Sequence, residues 1–88
     1  QGARGRSVTL QDAAADYAAA HHAHQAATAR AQAASALHTA ERTRATRDAM
    51  GDAWRSCDKA MRVMFAARDR LCEAAVDSGQ TSLFGDAA

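Results

Sequence analysis

Histidine, cysteine and arginine are the side chains in this chain best suited to metal, covalent or phosphate chemistry. His21, His22 and His24 stand beside Asp16 and Tyr17 and invite metal ligation. Their spacing argues against it. On a helix His21 and His22 point about 100° apart, and only His21 and His24 share a face at i, i+3, while His38 lies about four turns away. These histidines read as part of a helix surface or interface. Cys57 and Cys72 are the two candidate nucleophiles, but neither has a histidine in its expected helix to act as its base, and both lie on the apolar stripe of that helix. They lie 15 residues apart within one expected helix, about 22 Å along its axis, so they cannot bridge each other. Reduced cysteines of this kind fit a cytoplasmic protein. Arg42, Arg44 and Arg47, with Arg4 and Arg6 near the start, are the basic concentrations that could meet phosphate. Glu41 and Asp48 stand beside the run and no aromatic residues interleave with it to stack bases. A solvated helix face, or at most weak and non-specific DNA contact, is the expected role. With no glycine-rich phosphate loop, no carboxylate cluster and no Cys-x-x-Cys pair, no catalytic residue, cofactor or metal site is expected, and the chain is read as a non-enzyme.

Whatever positions these groups must be helical. The chain has 88 residues, no Pro and no Ile, and a hydrophobic share of 48% in which alanine predominates. Alanine is the strongest helix former, whereas the scarce large side chains are too few to fill the core of a layered fold. The expected fold class is all-α: a long helical hairpin, with one long helix as the alternative, packing with another chain as a coiled coil or helix bundle. Self-association, or another helical protein as partner, follows from the same shortage of core. A melting temperature that rises with concentration is therefore expected. The formal net charge of +1 is too small to argue for general nucleic-acid binding, although local basic patches still matter. No stretch approaches the roughly 20 apolar residues of a membrane span, so a cytoplasmic location without membrane contact is expected.

Residues 1–8, with Gly2, Gly5, Arg4 and Arg6, read as a flexible basic arm. Thr9 is the expected N-cap of the first helix, with Asp12 three positions later to meet the free N–H groups and the positive end of the helix dipole. From Leu10 to Ala49 the pattern is alanine-rich and free of Gly. Leu10, Tyr17, His24, Ala31 and His38 recur every seventh residue and share one face. Met50-Gly51-Asp52 is the internal break signal and predicts a hairpin turn near 50–52. Against a turn, the apolar spacing crosses Gly51 without changing phase, and an interior Gly costs a helix only about 1 kcal/mol. Ala53 to Val76 is the clearest amphipathic stretch. Trp54, Met61, Met64, Phe65 and Leu71 are the expected helix-interface residues of a body spanning 9–77.

The segment 78–88 reads as a C-terminal tail, because the helical pattern stops at Asp77-Ser78-Gly79, where Gly79 is a natural helix terminator. Its Gln80-Thr81-Ser82-Leu83-Phe84 places two adjacent large apolar residues in a short polar segment, which gains nothing from them unless something receives them. This pentapeptide resembles the bacterial sliding-clamp-binding peptide: Gln, two variable residues, Leu, then Phe. The resemblance covers five residues and implies nothing about the helical body. It implies that Gln80 hydrogen-bonds in a small polar subsite while Leu83 and Phe84 enter a hydrophobic cleft of the clamp. The corresponding functional expectation is an interaction protein of bacterial or phage DNA replication or repair. A structural or assembly protein without clamp binding is the alternative.

Overall fold

The computed structural model describes residues 9–78, and these form two long helices, α1 (Leu10–Glu41) and α2 (Arg44–Asp77), packed side by side as an antiparallel hairpin. The described residues contain no strand. The basic arm expected at 1–8 and the tail from residue 79 lie outside the described residues. Among the described residues no helix is long and apolar enough to cross a membrane.

α1 begins as its sequence dictates. Thr9 is extended (φ −69°, ψ 156°) and its Oγ1 accepts from the Asp12 N–H at 3.0 Å, satisfying one of the donors a helix start leaves open. The end of α1 corrects the expected position of the turn. The chain reverses at Arg42-Thr43 and not near 50–52, and α2 runs through Gly51 without interruption. The reversal uses no glycine: Arg42 takes the left-handed conformation itself (φ 55°, ψ 43°), at a cost that neighbouring interactions must offset. They do so through a capping box. Thr43 Oγ1 accepts from the Thr46 N–H at 3.1 Å, and Thr46 Oγ1 accepts from the Thr43 N–H at 3.0 Å. Thr46 is buried, and its hydroxyl also lies 2.9 Å from His38 Nδ1 on the last turn of α1, so one side chain caps α2 and ties it to α1. Gly51 stays helical because the packing face continues across it.

The reciprocal cap makes Thr46→Val a sensitive substitution: shape is kept, but the box loses one arm and His38 loses its partner. The expected cost is about 1–2 kcal/mol, read as a lower melting temperature. Thr39→Val removes only a bond from an exposed hydroxyl to the Ser35 carbonyl of its own helix, and should change the transition little. Equal melting of both variants with the parent would contradict this account of the turn.

The packing seam is built from small residues. On α1, Leu10, Tyr17, His24, Ala31 and His38 alternate with Ala13, Ala20, Ala27 and Ala34 in steps of three and four, and all are buried or half-buried. On α2, Met50, Cys57, Met64 and Leu71 alternate in the same way with Thr46, Ala53, Ala60, Ala67 and Ala74, again all buried or half-buried. The 3-4 alternation keeps one stripe facing the partner helix. An alanine at every second step on both helices lets the two backbones approach toward the close end of the usual 8–10 Å range. The consequence is a thin core. No large side chain among the described residues is fully buried, and two small clusters hold the seam, one around Ala13, Leu71 and Ala74, the other around Ala27, Ala31 and Cys57.

Candidate interaction surfaces

Three features of the hairpin could meet another molecule: its arginine-rich tip, the seam itself, and the outer flank of α2. At the tip the reversal gathers what a continuous helix would have spread apart. Arg42, Arg44 and Arg47 surround an open depression of about 380 Å³, completed by His38 and Thr43. The first turn of α2 contains no acidic residue to neutralise the positive end of its dipole. Arg47 reaches only the exposed carboxylate of its neighbour Asp48, at 4.0 Å, an ion pair worth little in water. The tip is thus a solvated cationic end, able to attract phosphate but without a built pocket.

At the middle of the hairpin Thr28 and Cys57 are committed to the fold. Thr28 Oγ1 donates to the His24 carbonyl at 2.9 Å and lies 3.3 Å from Cys57 Sγ. With the hydroxyl hydrogen already used, the buried thiol is left to act as the donor. Cys57 is therefore a packed, hydrogen-bonded thiol, whereas Cys72 is exposed. His21 is exposed and lies against Tyr17, with ring centroids 5.9 Å apart. Among the described residues no three His, Cys, Asp or Glu side chains gather in a metal-holding group.

The structure divides the five expected interface residues between two faces. Leu71 is buried in the seam against Ala13, with Leu10 and Tyr17 packed beside it, and Met64 is half-buried on the same stripe. Met61 is half-buried at the edge. Trp54 and Phe65 are not seam residues: they remain 41% and 40% exposed on the outer flank of α2. Trp54 leans back across the edge, where its Nε1 donates to Ser35 Oγ at 2.8 Å. Arg68 lies over the Phe65 ring, 4.9 Å from its centroid. A single apolar face expected over Ala53 to Val76 does not distinguish these two sides of the helix. The alanines at seven-residue intervals were the signal that could have found the division, since they mark the register of the seam, on which Met64 and Leu71 fall and Trp54 and Phe65 do not.

Gln80, Leu83 and Phe84, the residues that carry the clamp-peptide resemblance, lie outside the described residues. α2 closes just before them: the Ser78 N–H donates to the Ala74 carbonyl at 3.0 Å and its Oγ to the Ala75 carbonyl at 2.9 Å. The chain matches no family model, no curated protein and no solved structure.

Proposed function

We propose that the chain is a non-enzymatic interaction protein of bacterial or phage DNA replication or repair, which binds the DNA polymerase sliding clamp through Gln80, Leu83 and Phe84. The observation that carries this reading is the Gln-x-x-Leu-Phe peptide itself, which begins two residues after the Ser78 cap of α2. A helical rod that ends there and then delivers two adjacent apolar anchors and one polar latch suits a cleft-binding peptide, which orders on binding. Weak, sequence-independent DNA contact by Arg42, Arg44 and Arg47 would add to clamp binding at low salt and fade as salt rises. Calorimetric titration of the whole protein into a bacterial clamp, compared with a chain ending at Ser78, tests the reading. Binding is expected for the first and none for the second.

The exposed Trp54 and Phe65 favour a second reading, in which the hairpin is an assembly component and the tail binds no clamp. That reading requires the chain ending at Ser78 to retain every association the whole protein shows.

A further inference from the structure

We propose that the outer flank of α2 is a second helix-packing seam, taken up by the same flank of a second copy of this chain, with the two α2 helices antiparallel. The inference is independent of the tail. Trp54, Asp58, Met61, Phe65, Arg68 and Cys72 follow one another in steps of four and three, the spacing that makes the buried stripe beside them. α2 thus carries two adjacent stripes, one filled by α1 and one open. Packing onto α1 leaves Trp54 and Phe65 about two-fifths exposed. The opposite flank of α2 surrounds Val63 with Lys59, Arg70 and Glu73 and is the poorer surface for burial.

Charge complementarity selects the occupant and its direction. Antiparallel pairing centred on the level of Val63 sets Met61 opposite the partner copy's Phe65, Asp58 opposite its Arg68, and Trp54 opposite its Cys72, each layer occurring twice by symmetry. Opposite charges meet, and the largest side chain meets one of the smaller ones. A parallel, in-register pair would set Asp58 against Asp58 and Arg68 against Arg68, which like-charge repulsion disfavours. The neighbouring helix also fits. The Trp54 bond to Ser35 identifies the flank of α1 on this side as the one carrying Ser35, Thr28 and His21. At positions 11, 14, 18, 21, 25, 28, 32, 35 and 39 of that flank there is no Asp, Glu, Lys or Arg. Two copies can therefore close into a four-helix bundle without burying an unpaired charge from α1.

Sedimentation of the whole protein with single and paired charge reversals tests this arrangement. The parent is expected to be dimeric at micromolar concentrations. Asp58→Arg and Arg68→Asp should each raise the dimer Kd about a hundredfold, because each brings two like-charged layers together. An equimolar mixture of the two variants restores both layers in a heterodimer and should recover the dimer mass. If folding is coupled to assembly and the single variants lose helicity, the mixture should regain helicity together with mass. Trp54→Cys provides an orientation test: mild oxidation should link it to Cys72 of the other copy, identified by mass spectrometry of the joined peptide. In the parent the two Cys72 residues should lie about 27 Å apart along the bundle and stay unlinked. A parent monomeric at 100 µM, a mixture no more associated than its components, or ready Cys72 to Cys72 linkage would each overturn the proposal.

Discussion

Ala31→Leu is expected to lower the melting temperature by about 10–20 °C, the equivalent of about 2–3 kcal/mol in a domain of this size. Ala31 is 0% exposed and sits with Ala27 and Cys57 where the two helices approach over alanines. A larger apolar side chain would ordinarily gain burial, but here there is no space for it unless the helices part. Parting them would strip contact from the alanines packed around the site, Ala27, Ala53 and Ala60, whose methyl groups cannot reach across a wider gap. Ala33→Leu, on the exposed side of α1, is the matched control and should leave the melting temperature within a degree or two. A neutral or stabilising Ala31→Leu would show that the seam is looser than its alanine repeat implies.

The same seam explains which parts of the fold were legible in the sequence. The start of α1 could be read because Thr9 and Asp12 form a local capping arrangement that needs no tertiary partner. The face of α1 could be read because Leu10, Tyr17, His24, Ala31 and His38 hold a strict seven-residue interval. The turn was misplaced because the strongest local breaker, Gly51, sits in the middle of a helix whose packing stripe overrides it. The true reversal relies on Arg42, a residue with no special liking for positive φ, and is specified by the hydroxyls of Thr43 and Thr46. A threonine at the third helical position is a weaker signal than the usual Glu or Gln. Trp54 and Phe65 are expected at a helix interface on the rule that large apolar residues leave water. Along an alanine repeat that rule holds only for side chains in register with it: Tyr17, Met64 and Leu71 fall on the seam, whereas Trp54 and Phe65 fall on the neighbouring stripe. Taken together, the large residues of α2 span two stripes about 100° apart and so look like one broad face.

The separation of the two stripes also sets what Phe65→Ala should do. In a buried position the loss of a phenyl ring would cost about 3–5 kcal/mol. At 40% exposure in the hairpin the cost to the single chain should be much smaller, so a large loss of stability would signal burial by a partner copy.

Leu83→Ala combined with Phe84→Ala is expected to abolish clamp binding, with the helical body unchanged by circular dichroism. Burying the two side chains contributes about 2–3 kcal/mol each, against the cost of ordering a short segment, so the single peptide should bind with a Kd in the micromolar range. Removing both anchors takes away nearly all of that surplus. Gln80→Ala removes one polar latch and little apolar area, so it should weaken binding by less than the double change. A dimeric body would present two tails to a ring-shaped clamp and bind more tightly than the isolated peptide through effective concentration alone.

The most direct measurement is calorimetric titration of a peptide spanning Ser78 to Ala88 into sliding clamps from several bacterial groups. The account predicts saturable micromolar binding that vanishes when Leu83 and Phe84 are both replaced by alanine. No heat of binding at high micromolar concentrations with any of the clamps would contradict it.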